Sequence, residues 1–295
     1  MADKPNYFDP VTLSKLSTLL LRARYVVEGL ISGLHTSPFK GFSVEFSEHR
    51  QYAPGDEIRH IDWKAYAKFD RYYIKEYEEE TNLRCYLLVD ASASMNYRSN
   101  GVSKFDYACY LAAALAYVML NQQDLVGLVT FGDGIRRQLP PRSSPGHLRA
   151  VIESLEHTEP AGDTDLGRTL HHIASQLKRR GLVILLSDLL DEPTEVMEGL
   201  RHLRYQKHEV LVFHVLDHDE VAFPFTQLTQ FEDLEEETRV ITDPRAIAAD
   251  YREQVSQFIK DYETMCRRQA IDYTFFSTRT PLDKGLLKYL AWRET

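Results

Sequence analysis

A set of hydroxyl and carboxylate side chains, far apart in the sequence, has the chemistry of a site for a hard divalent cation. The set consists of Asp90, Ser92, Ser94, Thr164 and Asp188. Oxygen ligands of this kind suit Mg²⁺ or Mn²⁺, whereas zinc would favour histidine or cysteine. Taken singly, each residue is equally consistent with capping a helix or closing a turn. A metal site therefore requires a fold that brings these separate loops together.

Short apolar runs that alternate with helical patterns indicate such a fold. Cys85–Val89 and Leu182–Leu186 have the composition of buried parallel strands, and Phe105–Leu120 has the apolar spacing of a helix. This alternation predicts an α/β fold with a mostly parallel, doubly wound sheet that is covered by helices on both faces. Ligands of such sheets bind beyond the carboxyl ends of the strands, which is where Asp90 and Asp188 fall.

Further elements are predicted along the same part of the chain. They are strands at Leu125–Phe131, Ile135–Leu139, Val210–Leu216 and Tyr273–Phe276, and helices after Ser144-Pro145, from Thr164 to Arg180, at Thr194–Tyr205, from Pro244 and from Pro281. The tight turn Gly132–Gly134 predicts that the strand after it returns antiparallel at the edge of the sheet.

Composition and charge limit the classes of protein to which this chain can belong. The chain has 295 residues, of which 43% are hydrophobic and 27% charged, and this is the balance of a protein with a sizeable buried core. Its formal net charge of −9 argues against non-specific binding to nucleic acid. Cys85, Cys109 and Cys266 have no Cys-x-x-Cys spacing, so we expect buried free thiols in a reducing compartment.

No segment of the sequence has the pattern of a membrane span. The apolar stretch Leu16–Leu34 is interrupted by Arg22, Arg24 and Glu28, so it is too charged to cross a bilayer and instead resembles an amphipathic helix. The first residues also lack the layout of a signal peptide. We therefore expect a cytoplasmic protein without membrane insertion.

In this order, Asp90–Met95, Thr164 and Asp188 resemble the metal-ion-dependent adhesion site of von Willebrand factor A domains. The resemblance implies a sheet of strand order 3-2-1-4-5-6 whose third strand is antiparallel. It also implies that Ser92 and Ser94 bind the metal directly. Thr164 would bind directly or through water, and the two aspartates mostly through water. Leu189 stands where that family usually has glycine.

The segment before residue 83 makes the resemblance more specific. Its motifs resemble the signature of the bacterial family called domain of unknown function 58, and they are Gly41–Phe46, Arg50–Tyr52, Pro54–Asp56, Arg59 and Ile61–Lys64. Members of that family pair this signature with a following A-type domain and are often associated with MoxR-type AAA+ ATPases. Many carry two transmembrane helices before the signature, whereas this sequence is similar to the short soluble form.

The resemblance and the element pattern together predict two domains. Residues 1–82 would hold an N-terminal helix and a small strand-containing unit, and residues 83–295 a von Willebrand factor A-like domain. In the smaller unit, alternating side chains at Phe42–Phe46 and Tyr73–Tyr77 predict strands. Its charged residues could form a network that fixes the unit in place or part of a partner surface, and they are Arg50, Asp56, Arg59 and Asp62.

We expect this chain to bind another protein and not to be an enzyme. Hydroxyl ligands leave a divalent ion positively charged, with a position that an acidic residue of a partner can fill. The resemblance implies that this partner is a MoxR-type AAA+ ATPase or its client. One alternative is a structural scaffold with a vestigial metal site. Another is a metal-dependent hydrolase, with Asp163 or Asp165 as general base, although Ser92 stands where a phosphoaspartyl enzyme needs a second aspartate.

Overall fold

The computed structural model describes residues 9–34, 49–51, 73–75, 83–163, 165–232, 234 and 239–293. The strands are β1 (His49–Gln51), β2 (Tyr73–Lys75), β3 (Arg84–Asp90), β4 (Leu125–Phe131), β5 (Ile135–Arg142), β6 (Leu182–Ser187), β7 (Glu209–Leu216), β8 (Thr229–Glu232), β9 (Arg239–Thr242) and β10 (Asp272–Ser277). The helices are α1 (Pro10–Ser14), α2 (Leu19–Leu34), α3 (Lys104–Asn121), α4 (His147–Glu156), α5 (Leu166–Gln176), α6 (Pro193–Tyr205), α7 (His218–Ala222), α8 (Pro244–Arg268) and α9 (Asp283–Arg293).

The chain divides into two compact units. One spans Met1–Gly33 and Leu83–Thr295, and the other spans Leu34–Asn82. The sequence placed the N-terminal helix with the smaller segment, whereas the structure places α1 and α2 in the larger unit. In that unit the apolar side chains of α2, such as Ala23 and Val26, are fully buried, and the Arg22 guanidinium donates to the Tyr110 hydroxyl at 2.9 Å.

The larger unit is built on a single sheet in the order β10-β7-β6-β3-β4-β5. Neighbouring strands are parallel except for β4 and β5, which run antiparallel. Counted along the chain within this sheet, the order is 3-2-1-4-5-6 with an antiparallel third strand. The predicted von Willebrand factor A-like fold is therefore confirmed. Edge strand β5 tolerates Pro140 and Pro141 because an edge needs fewer backbone donors.

Helices cover both faces of this sheet. Alternate side chains of β3 and β7, such as Tyr86 and Val212, pack in one buried cluster with α5, α6 and α8. The other set of side chains on β7 points to the opposite face, because strand side chains alternate. There Phe213 contacts Phe276 of β10, which in turn lies 6.3 Å from the ring of Tyr107 on α3. Helix α3 is almost wholly buried, which explains its continuous apolar sequence.

Two predicted features differ from the structure. The helix predicted to run from Thr164 to Arg180 begins at Leu166, with Asp165 as its N-cap, and ends at Gln176. An antiparallel hairpin of β8 and β9 is inserted between α7 and α8, and the sequence analysis did not predict it. Its strands are short and mostly exposed, so they lack the buried side-chain pattern on which strand prediction depends.

The smaller unit is described only at β1 and β2, which pair antiparallel. The strand predicted from Tyr73 is present as β2. The predicted strand at Phe42–Phe46 lies outside the described residues, as do Asp56, Arg59 and Asp62 of the charged group.

In the part of the chain that the structure describes, no helix is long and apolar enough to cross a membrane. The three cysteines are buried free thiols, as the sequence predicts.

Helices α5 and α6 pack closely at Gly199, so a substitution there tests the packing that positions α5. A Cβ atom on Gly199 would lie 2.7 Å from the Leu170 Cβ and 2.9 Å from the Gly167 carbonyl oxygen. We expect Gly199→Ala to lower the free energy of unfolding by about 1–3 kcal/mol through overpacking, although alanine favours helix by about 1 kcal/mol. Thermal unfolding measures the change. The control is Gly134→Ala, where nothing lies within 4 Å, and equal stability of both variants would contradict the close packing.

Candidate metal site at the carboxyl edge of the sheet

The pairing of β3 with β6 brings two of the predicted site loops together. These strands are parallel neighbours with Val89 opposite Leu186, so the residues that follow them emerge side by side. Asp90 is 1% exposed and Asp188 is 2% exposed. The predicted residues Asp90, Ser92, Ser94 and Asp188 therefore all lie at the same edge of the sheet.

Both oxygens of the Asp90 carboxylate are held by hydrogen bonds. The backbone N–H of Ser92 donates to Oδ1 at 2.9 Å, and the hydroxyl of Ser187 donates to Oδ2 at 2.6 Å. The Ser187 oxygen also accepts a hydrogen bond from the backbone N–H of Leu189 at 3.0 Å. Ser187 thus connects the loops after β3 and β6, and the sequence analysis did not single it out. In the sequence, the one local indication of this role is that a hydroxyl residue stands directly before Asp188.

The hydroxyls of Ser92 and Ser94 have a spacing that suits a small octahedral ion. Their oxygens lie 3.0 Å apart. Mg²⁺ binds oxygen at about 2.0–2.1 Å in octahedral geometry, so two adjacent ligands are about 2.9 Å apart. The two serines therefore fit neighbouring positions around such an ion.

The loop that leads to Thr164 is hydrogen-bonded to the loop after β3. The N–H of Ala93 donates to the Gly162 carbonyl at 2.9 Å, and the N–H of Ala161 donates to the Ala91 carbonyl at 3.1 Å. Thr164 itself lies outside the described residues. Its role as a metal ligand stays a prediction.

The turn after Asp188 shows how this chain manages without the glycine common in von Willebrand factor A domains. Leu189 has a φ of 55°, in the left-handed region that costs a residue with a side chain about 1–2 kcal/mol. Its carbonyl oxygen accepts hydrogen bonds from the Tyr262 hydroxyl at 3.1 Å and the Asp191 N–H at 2.9 Å. Its side chain is fully buried. These contacts hold leucine in a conformation that glycine adopts freely.

A buried lysine, which the sequence analysis did not identify, neutralises Asp188. The ammonium of Lys104 lies 2.8 Å from Asp188 Oδ2 and 2.7 Å from Glu220 Oε1, and the lysine side chain is 0% exposed. Burial lowers the pKa of Lys104, but the two carboxylates outweigh burial and raise it overall. Lys104 therefore remains charged. A lone lysine at the start of an apolar helix was the only signal in the sequence.

Asp90 differs from Asp188 in its electrostatic surroundings. Burial, and to a smaller extent the negative charge of Asp188, raise the pKa of Asp90 to about 7. In the described ranges, no basic side chain forms an ion pair with Asp90. An ionised Asp90 is thus a buried negative charge that a nearby cation would stabilise.

The donor set is consistent with a hard cation that binds mainly through hydroxyl oxygens. Among the described residues, no group of three or more histidine, cysteine, aspartate and glutamate side chains could hold a metal ion. A site at this edge would therefore depend on Ser92 and Ser94 as direct ligands, with the carboxylates behind them. These residues fit Mg²⁺ or Mn²⁺ and do not fit a softer metal such as zinc.

Comparisons with known proteins agree with this fold. Residues 48–260 match the family described as "Protein of unknown function DUF58". The uncharacterized proteins Rv1480 of Mycobacterium tuberculosis and Mb1516 of Mycobacterium bovis are each 28% identical over 219 residues, covering 73% of this chain and 68% of each relative.

Two solved structures from Bacteroides share the architecture. The conserved hypothetical protein BatB from Bacteroides thetaiotaomicron has a TM-score of 0.51 and 16% identity, covering 72% of this chain and 98% of that chain. An aerotolerance-related membrane protein from Bacteroides fragilis has a TM-score of 0.50 and 15% identity, covering 72% and 100%. At these identities the likeness shows the fold alone.

The ion pairs of Lys104 generate a stability prediction. Lys104→Met keeps the length of the side chain but leaves two buried carboxylates without their cation, and we expect a loss of about 3–5 kcal/mol in the free energy of unfolding. Chemical denaturation measures this loss. The control is Arg149→Met, which breaks a pair whose side chains are 82% and 51% exposed and should cost less than about 1 kcal/mol. Equal losses in both variants would show that Lys104 is not part of a buried ionic cluster.

Proposed function

This chain belongs to the family described as protein of unknown function DUF58, and we propose that it is a divalent-metal-dependent protein-interaction module without enzymatic activity. The observation that carries the proposal is the pair of serine hydroxyls 3.0 Å apart, next to a buried carboxylate with no ion-pair partner among the described residues.

The proposed ion is Mg²⁺ or Mn²⁺, held directly by Ser92 and Ser94. Thr164 is the proposed third hydroxyl ligand. Asp90 and Asp188 would contribute mostly through water, which suits side chains already held by Ser187 and Lys104. When bound, the ion would supply a positively charged position that an acidic residue of another protein can fill.

The proposed partner is a protein that presents an acidic residue, and we infer that it is a MoxR-type AAA+ ATPase or its client. This choice rests on the family resemblance of the chain. The buried free thiols of Cys85, Cys109 and Cys266 support a reducing compartment such as the cytoplasm.

The contacts around the site favour binding over hydrolysis. Asp165, one candidate base, caps α5 by accepting from the Arg168 N–H at 3.0 Å, and it also pairs with the Arg168 side chain. Lys104 is fully buried between two carboxylates, so its ammonium is not available to a phosphate. The alternative hypothesis is a structural scaffold with a vestigial metal site. It predicts that Mg²⁺ and Mn²⁺ do not stabilise the protein, whereas a metal-dependent module is stabilised by them.

The proposal predicts that Mg²⁺ or Mn²⁺ stabilises the protein. At ten times its dissociation constant a metal adds about 1.4 kcal/mol, which should raise the melting temperature by roughly 3–6 °C for a domain of this size. Ser92→Ala/Ser94→Ala should abolish the shift because both direct ligands are lost.

The matched control for this titration is Ser175→Ala/Ser256→Ala, which removes two hydroxyls from exposed helical positions. It should keep the full metal shift. Equal shifts in the two double variants would refute the assignment of the ligands. Turnover of phosphatase or esterase substrates above about 1 s⁻¹ in the same samples, within the ordinary range of enzymes, would favour a hydrolase.

A second prediction concerns the partner. A carboxylate that bridges to the metal should act as a binding hot spot of about 2 kcal/mol or more, which is about thirtyfold in dissociation constant. Calorimetry with a MoxR-type AAA+ ATPase from the same organism measures the affinity in Mg²⁺, in EDTA and with Ser94→Ala. We expect loss of at least that size in the last two conditions. The same affinity in all three would mean that the ion is not the bridge and would support the scaffold.

A further inference from the structure

A pocket of about 340 Å³ begins at Ser94, one of the proposed metal ligands, and extends toward the inserted hairpin. Its walls include Phe223 after α7, Phe231 on β8 and Tyr251 on α8. Ligand pockets commonly have volumes of about 300–1,000 Å³, so this one suits a single large side chain. It shares Ser94 with the candidate metal site and does not include Asp90, Ser92 or Asp188 in its lining.

Aromatic rings form one wall of this pocket. The Phe223 ring lies 4.3 Å from Tyr251 and is stacked on Phe231 at 5.7 Å, and Phe225 meets Phe231 edge-on at 5.3 Å. Phe223 is buried, whereas the other three rings are half-buried. The wall therefore consists of rings held by one another, three of which are partly accessible to solvent.

Carboxylates also line this pocket. Asp219, Glu220 and Glu232 line the pocket together with a single cation, Lys104, which leaves a formal charge of −2. The ammonium of that lysine is buried and already bound by carboxylates. The pKa of Tyr97, also in the lining, is raised to about 12 by burial and by the neighbouring acidic groups. The described lining thus carries a net negative formal charge, and its lysine is already paired.

Two arginines approach the outer edge of this pocket. Arg239 lies 3.2 Å from Glu232, and Arg279 lies 4.0 Å from Asp219, with arginine side chains 68% and 51% exposed. The Arg239–Glu232 pair contributes little because water screens it, and the Arg279–Asp219 pair is at the long limit of an ion pair. They leave the carboxylates able to accept a better-placed cation.

We propose that this pocket binds an arginine side chain of the partner protein. A planar guanidinium can stack on an aromatic ring of the lining while it donates hydrogen bonds to the lining carboxylates, and a lysine ammonium does this less well. This proposal extends the proposed function and rests on it, because that function makes Ser94, beside the pocket, a metal ligand. It predicts that the partner segment carries an arginine close to the acidic residue that binds the ion.

The test uses N-acetyl-arginine methylamide as the probe and its citrulline analogue as the uncharged isostere. Methyl resonances of Leu190 and Leu234, which line the pocket and are 46% and 49% exposed, serve as the readout by NMR. We expect saturable shifts with the arginine probe at millimolar concentrations. The citrulline analogue should bind about tenfold more weakly because it lacks the charge.

Matched variants assign this binding to the pocket. Asp219→Asn/Glu232→Gln removes two lining charges and should weaken arginine binding about tenfold. Glu153→Gln/Glu263→Gln removes two carboxylates from exposed pairs on α4 and α8 and should leave the affinity unchanged. Equal weakening by both pairs would show that the probe senses only net charge and would overturn the proposal.

The titration is repeated in Mg²⁺ and in EDTA, so that the pocket and the metal site can fail separately. Arginine binding that persists in EDTA and with Ser94→Ala supports the pocket, even if no metal-induced stabilisation is found. No saturable shift at Leu190, or equal affinity for arginine and citrulline, overturns it. Tighter binding of N-acetyl-phenylalanine methylamide would show that the pocket takes an apolar residue, and it would also overturn the proposal.

Discussion

The burial of two carboxylates at the ends of adjacent parallel strands is the constraint on which the rest of this site depends. Asp90 and Asp188 end up in a region of low dielectric, where like charges repel and water cannot solvate them. The structure offsets this cost in a different way for each carboxylate. Asp188 has the ammonium of Lys104, whereas Asp90 accepts hydrogen bonds from the Ser92 N–H and the Ser187 hydroxyl and has no ion-pair partner among the described residues. Because of this asymmetry, Asp90 is the carboxylate that a bound cation would stabilise.

The same constraint connects the site to elements at some distance in sequence. Lys104 is the first residue of α3, and Ser103 and Asp106 form a capping box that fixes this end of the helix. Its ammonium also holds Glu220 on α7, directly before the aromatic residues that anchor the inserted hairpin. The metal-site loops, α3 and the aromatic pocket are thus joined through one ionic cluster.

The function proposed for the chain follows from this arrangement. A cation bound by neutral hydroxyls attracts an acidic group, and the neighbouring pocket has the opposite preference because its lining is acidic and aromatic. Two adjacent subsites of opposite charge preference would select a partner segment by the spacing of its charges. Such selection is a source of specificity in protein interfaces, where charge placement discriminates between partners more than it adds affinity.

The sequence by itself determined the order of the strands in the main sheet, and it placed Asp90, Ser92, Ser94 and Asp188 at the carboxyl edge of that sheet. These depend on local patterns: an apolar run predicts a buried strand, and the residue that ends it must lie at the carboxyl edge. Only the tertiary structure decided that Lys104 neutralises Asp188, that Tyr262 holds Leu189 in a left-handed turn, and that an unpredicted hairpin builds a pocket beside Ser94. The physical reason is that an ion pair, a hydrogen bond to a strained turn and a ring contact each need two groups distant in sequence, and their meeting depends on how the whole chain closes around the sheet.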